Sequence, residues 1–159
     1  MRLSVFLGLL CISVLAVSSC KTYGATSGTT SAEDAIITFH DALNVLFKGD
    51  AKPMKMLWSH ADDTAYMGPM GGFDQGWDAI SSLWDKQAKL KLGGKVVAEN
   101  IHIVVGPSLA IAHYMEQGAN IVDGKKQVVS LRTTTTLRKE DGDWKVIGHH
   151  TDTLPYLEQ

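Results

Sequence analysis

The sequence predicts an α+β fold, and three observations carry that prediction. Segments with helical apolar spacing are confined to the stretch from about residue 31 to about residue 90. Beyond Gly93-Gly94 the chain becomes a series of long runs rich in β-branched residues, separated by Gly-containing turns. With 159 residues, 45% hydrophobic and 20% charged, the chain has the size and apolar content of one domain with a real core plus a tail. Helices first and an antiparallel meander afterwards is the order of a two-layer α+β domain.

Ser31-Ala32-Glu33-Asp34 fits a helix start, with Ser31 as cap and Asp34 three residues on. Ile36, Phe39, Leu43, Leu46 and Phe47 follow at three- and four-residue spacing, and Lys48-Gly49-Asp50 stops the helix. A short second helix is expected from Lys52 to Trp58, with Pro53 tolerated in its first turn. Thr64 to Met67 reads as a short strand and Gly68 to Gly72 as a loop. Asp74 is expected to cap a third helix reaching Leu90, with Trp77, Ile80 and Trp84 on one face. Four long strands follow: Lys95 to Val105, Leu109 to Asn120, Gln127 to Lys139 and Trp144 to Thr151. Asp123-Gly124 and Asp141-Gly142 mark the hairpin turns. No internal repeat and no second domain is visible.

The N-terminus reads as an address. Met1-Arg2 is followed by fifteen uncharged residues, Leu3 to Val17. A membrane span needs about 20 apolar residues, so the stretch has the shape of a secretory signal instead. It closes on Val17-Ser18-Ser19-Cys20, which resembles the bacterial lipobox, with Val17 where Leu is commoner. That resemblance implies removal of residues 1–19 and acylation of Cys20. Lys21, where Asp would imply inner-membrane retention, leans the expectation towards the outer membrane. An ordinary signal peptide with an incidental Cys20 is the alternative, which leaves the protein periplasmic or secreted. Residues 21–30 are small and polar and read as a flexible tether. The domain is placed at 31–159.

Charge and cysteine content narrow the function. The net charge is −2 and the pI about 6.3, and loss of Arg2 would make the balance slightly more acidic. Clustered Lys/Arg of the kind that grips phosphates is missing, so no nucleic-acid partner is expected. Both Cys, 11 and 20, precede the domain, which excludes an internal disulfide or a Cys-based metal site there. Gly68 to Gly76 lacks the Lys-Ser/Thr of a phosphate loop, and Asp141-Gly142-Asp143 is a turn, not a calcium loop.

The order of elements resembles the SnoaL-like, nuclear transport factor 2-like superfamily, which includes ketosteroid isomerases. Several segments carry the resemblance: Lys48-Gly49-Asp50 at a helix end, His60-Ala61-Asp62-Asp63 before the first strand, and Gly76-Trp77-Asp78-Ala79-Ile80 opening the third helix. Arg132-Thr133-Thr134, Asp141-Gly142-Asp143-Trp144-Lys145-Val146-Ile147 and His150-Thr151-Asp152 complete it in the same order. The resemblance implies a curved mixed or antiparallel sheet wrapped around about three N-terminal helices, forming a cone with a pocket at its mouth. It also implies dimerisation through the outer sheet face. Activities among such proteins include isomerases, cyclases, dehydratases, ligand binders and oligomerisation modules, so fold does not settle function.

The isomerase mechanism needs an Asp base and Tyr and Asp oxyanion donors. Counting without gaps puts Gly68, Ala42 and Thr134 at those places, and none supplies a titratable group of useful pKa. Other candidates come from strict alternation on the long strands. His150 shares a face with Trp144, Val146, Gly148 and Asp152; Arg132 with Thr134 and Thr136; His113 with Ile111 and Met115. If those faces line the cone, they meet Trp58, Tyr66 and Trp84 from the opposite wall. His150 could then act as a base oriented by Asp152, and Arg132 could hold an anion. The competing readings are a structural His150, an Arg132 ion-paired with Asp62 or Glu116, a His113 on a dimer surface, and tryptophans that are simply core. No metal site or cofactor is expected. The expected function is binding of a small, partly apolar ligand at the cell envelope without catalysis. A His150-dependent isomerase, lyase or cyclase is the alternative, and a dimeric assembly module without ligand is the third reading.

Overall fold

The computed structural model describes residues 31–152. The expected signal segment, Cys20, the tether and residues 153–159 lie outside the described residues. The first helix, α1 (Ala32–Leu46), starts with a reciprocal cap. The Asp34 backbone N–H donates to the Ser31 hydroxyl at 3.0 Å, and the Ser31 backbone N–H donates to the Asp34 carboxylate at 3.1 Å. The predicted apolar spacing buries Ile36, Phe39, Leu43 and Leu46. After Leu46 the chain turns through Gly49, whose φ of 107° suits a residue without Cβ. A short α2 (Lys52–Leu57) carries Pro53 in its first turn.

Next come β1 (Ala65–Met67) and β2 (Asp74–Gln75), which pair antiparallel. Here the expected helix cap at Asp74 is corrected. Asp74 pairs with Tyr66, and α3 (Trp77–Leu90) begins after Gly76, whose N–H donates to the Thr64 carbonyl at 2.9 Å. The strand pairing competes for Asp74 and wins. Then follow β3 (Lys95–Val105), β4 (Leu109–Val122), β5 (Lys125–Glu140) and β6 (Asp143–Asp152). The six strands form one sheet in the order β2-β1-β6-β5-β4-β3, antiparallel except where β1 runs parallel to β6. The fold class is the α+β one expected.

Two features decide which residues face the helices. The first is a bulge in β6. Thr136 pairs with Gly148 but Leu137 pairs with Val146, so Ile147 is an extra residue on that strand. Such an insertion reverses the alternation beyond it. Trp144 and Val146 are buried before the bulge, and His149 and Thr151 after it. The second is Asn44, whose side chain docks α1 on the sheet edge. It accepts from the Val96 N–H and donates to the Val96 carbonyl, both at 2.8 Å, as a neighbouring strand would. Where β4 approaches β3, Gly118 is required, because a Cβ there would run into the Lys95 backbone carbonyl.

Candidate functional site

Sheet and helices enclose a cavity of about 740 Å³. Its wall is mainly apolar, with Phe39 and Leu43 from α1, Leu83 and Trp84 from α3, Val96 from β3 and Leu131 from β5. Exposed Met70, Leu90 and Val128 border it on the solvent side.

Lys86, Gln87 and Asn120 add polar groups to the lining, and one buried polar cluster lies in the wall. Ala110, Ala112, Tyr114 and Glu116 alternate along the buried inner face of β4. Glu116 is only 4% exposed and lies on the cavity wall. Two imidazoles approach its Oε1, His40 Nε2 at 3.3 Å and His149 Nε2 at 3.5 Å. His40 Nδ1 lies 2.8 Å from the Ile36 carbonyl, which can only accept, so that nitrogen carries hydrogen. A proton therefore lies between His40 Nε2 and Glu116. His149 Nδ1 is 2.9 Å from the Thr135 hydroxyl, and Thr135 is 2.8 Å from Tyr114 Oη. With the His149 proton on Nε2, the chain runs in one sense: Tyr114 donates to Thr135, Thr135 to His149, and His149 towards Glu116.

Burial sets the charges. Burial pushes the Glu116 carboxyl up, but the hydrogen bond from His40 and the charge on that ring outweigh it, so the group sits below the ordinary carboxylate value. Burial dominates at His149 and lowers it to about 4 in spite of Glu116, leaving a neutral imidazole at neutral pH. The ring is stacked between Phe39 at 4.8 Å and Tyr66 at 5.7 Å. Burial also pushes the Tyr66 phenol up to about 12, so Tyr66 is neutral too.

Of the residues expected in the pocket, Tyr66 and Trp84 line the cavity. Trp58 is corrected to the core behind them, 1% exposed and packed on both rings. The other six are corrected as a group. His113, Met115, Arg132, Thr134, His150 and Asp152 do come together, but on the outer face of the sheet, beside Asn100 and His102. The cause is the Ile147 bulge for β6 and the opposite choice of parity for β4 and β5. Asp152 therefore does not orient His150 in a pocket; it pairs with exposed Arg132 at 3.1 Å. Thr134 hydrogen-bonds His113 at 3.1 Å on that same outer face. The arginine clamping the Asp62-Asp63 turn is Arg138, which holds Asp63, Glu140 and Ser59. Gly68 borders the cavity, yet a Cβ there would meet the Tyr66 hydroxyl at 2.5 Å. Tyr66 thus occupies the room an isomerase base would need.

The sequence reading missed Glu116, His149 and His40 as site residues, although signals existed. His40 is a polar residue on the apolar face marked by Ile36 and Leu43. Glu116 ends the Ala110-Ala112-Tyr114 alternation, whose small and aromatic members suit a helix-covered face. Among the described residues no group of three His, Cys, Asp or Glu side chains is placed to hold a metal, and no helix is long and apolar enough to cross a membrane.

The sequence profile of the SnoaL-like domain family matches residues 34–154. The chain belongs to this family. No match is found among curated proteins. Solved structures are similar in fold. A candidate calcium/calmodulin-dependent protein kinase type II association domain from Thiobacillus denitrificans superposes with a TM-score of 0.67 at 19% identity, over 78% of this chain and 95% of that one. A candidate dehydratase of the nuclear transport factor 2-like family from Streptomyces avermitilis gives 0.67 at 16% identity, over 76% and 91%. A nuclear transport factor 2-like protein with a cystatin-like fold from Novosphingobium aromaticivorans gives 0.58 at 18%, over 77% and 87%. At these identities the likeness of this SnoaL-like domain to them is one of fold.

Proposed function

We propose that this SnoaL-like domain binds a small, partly apolar molecule in its cone cavity without transforming it, from a lipid-anchored position in the cell envelope. The cavity of about 740 Å³ carries the reading. Ligand sites fall in the range of roughly 300–1,000 Å³, mostly apolar with a few placed polar groups. The exposed Met70, Leu90 and Val128 give an apolar molecule a favourable approach. The burial of the ionisable groups argues against acid–base turnover. A shuttle works best with a pKa near the working pH, whereas His149 is taken to about 4 and Glu116 is held below its ordinary value. His150, on the outer face, cannot reach a molecule in the cavity.

The lipid anchor rests on Leu3–Val17 and Val17-Ser18-Ser19-Cys20. Each buried acyl CH₂ adds about 0.8 kcal/mol, so several chains anchor firmly. Cys20→Ser should move the protein from the membrane to the soluble fraction; continued membrane attachment rejects the anchor. Native mass spectrometry of the purified protein should reveal a co-purified small molecule, which denaturation releases and fresh protein returns unchanged. No adduct, together with no thermal stabilisation by small apolar molecules, rejects binding. Chemical conversion of the released molecule rejects the non-catalytic role.

A further inference from the structure

Apolar side chains continue past the cavity onto the solvent side of its rim. Met70 is 92% exposed, Val128 78% and Leu90 57%, and all three border the cavity. Ile121 and Val122 are exposed at the end of the β4–β5 hairpin. That hairpin end is tied to the chain just after α3. The Ile121 N–H donates to the Leu92 carbonyl at 2.8 Å, and the Asn120 side chain donates to the Gly93 carbonyl at 3.1 Å. Clustered exposed apolar residues of this kind mark a surface that meets another body.

Lysines frame the patch. Lys86, Lys89 and Lys91 surround Leu90, and Lys125 and Lys126 precede Val128. All five are exposed, and none pairs with a carboxylate among the described residues. The carboxylates in these segments are Asp74 on the cavity wall, Asp123 in the hairpin turn and Asp85, which Lys55 holds at 2.7 Å. Five lysines against three carboxylates make a basic end on a chain whose net charge is −2.

We propose that this rim docks on a lipid surface carrying anionic headgroups, so that the cavity opens onto the bilayer. The apolar tips enter the boundary between headgroups and acyl chains. The lysines meet the headgroup charge and lay their methylene stems along the apolar surface. A nucleic acid would use the lysines but leave Met70, Leu90 and Val128 in water. The anchor proposed above has the reach this docking needs. The 15 residues of α1 are about 22 Å long, and Leu43 and Phe47 near its C-terminal end line the cavity. Residues 21–30, fully extended, span about 33 Å. A chain acylated at Cys20 can therefore turn its rim to the same membrane.

The test uses the mature chain, residues 20–159, with Cys20→Ser, so that no acyl chain contributes. Co-sedimentation with phosphatidylcholine vesicles containing about 30% phosphatidylglycerol should show binding at least about tenfold tighter than with phosphatidylcholine alone. Lys89→Glu with Lys126→Glu, both exposed and away from the cavity lining, should melt like the parent and weaken that binding at least about tenfold. Val128→Cys gives this otherwise cysteine-free chain a site for an environment-sensitive fluorophore. Its emission should move to shorter wavelength with the anionic vesicles. The same label on Glu33→Cys, at the far end of α1, should not respond. Absence of vesicle binding, equal binding to both vesicles, or an equal response at the two labels overturns the proposal. A shift at Val128 that appears without vesicles and grows with protein concentration assigns the rim to a second copy and overturns it too. The measurement contains no cavity ligand, so each of these failures leaves ligand binding standing.

Discussion

His149 shows how one residue couples the site to stability. Burial takes it to about 4 from an ordinary 6.5. As pH falls below about 6.5 the unfolded chain takes up a proton that the folded chain refuses until about 4. The unfolded state binds more protons in that window, so folding stability is full above it and declines through it, by about 3 kcal/mol. Glu116, held below its ordinary value, stabilises above its unfolded pKa and adds a further loss as pH falls through its folded one. Urea unfolding across this range should show the decline. His149→Phe keeps the stack on Phe39 and Tyr66 and should flatten the upper part; an unchanged slope rejects His149 as its source. Only part of this was legible in the sequence. His149 and His150 are chemically alike there, and the choice between them depends on a bulge whose one mark in the sequence is Gly148.

At the scale of elements, order and boundaries were legible because local chemistry dictates them: the Ser31 cap, the Gly49 stop and the Asp-Gly hairpins act on their own segments. Pairing that depends on distant partners was not. Asp74 was read as a cap because nothing in its vicinity announces Tyr66 as a strand neighbour. Asn44 belongs to the same class, since its partner Val96 is 52 residues away. Both of its bonds to Val96 satisfy backbone groups at the sheet edge. Asn44→Ala leaves that N–H and C=O without partners, at a cost of about 2–3 kcal/mol. Hydrogen exchange gives the local readout: the Val96 amide should exchange faster in the variant, relative to amides in the β5–β6 ladder. Uniform acceleration would assign Asn44 to general stability instead of docking.

At the scale of the molecule, one sheet serves two surfaces, and alternation keeps them separate. Residues turned inward meet the helices and the cavity. Those turned outward form a face on which Val104 and Ile111 pair directly, as do His102 and His113. Val104 is 60% and Ile111 41% exposed, an apolar pair on the face that also carries the exposed Arg132–Asp152 ion pair. This supports the proposal that the chain dimerises through its outer sheet face, because burying such a pair against a copy removes about 25 cal/mol per Å² of apolar area from water. Charged residues at the centre of a packed interface are strongly disfavoured. Val104→Asp with Ile111→Asp should therefore halve the mass measured by sedimentation at micromolar concentration. Both positions point away from the cavity, so ligand affinity should stay within about twofold of the parent. A parent that is already monomeric, or a double variant still dimeric, rejects this face as the interface. A variant that loses dimer and ligand together would show that the two surfaces are coupled through the strands between them, which strict in–out alternation does not allow.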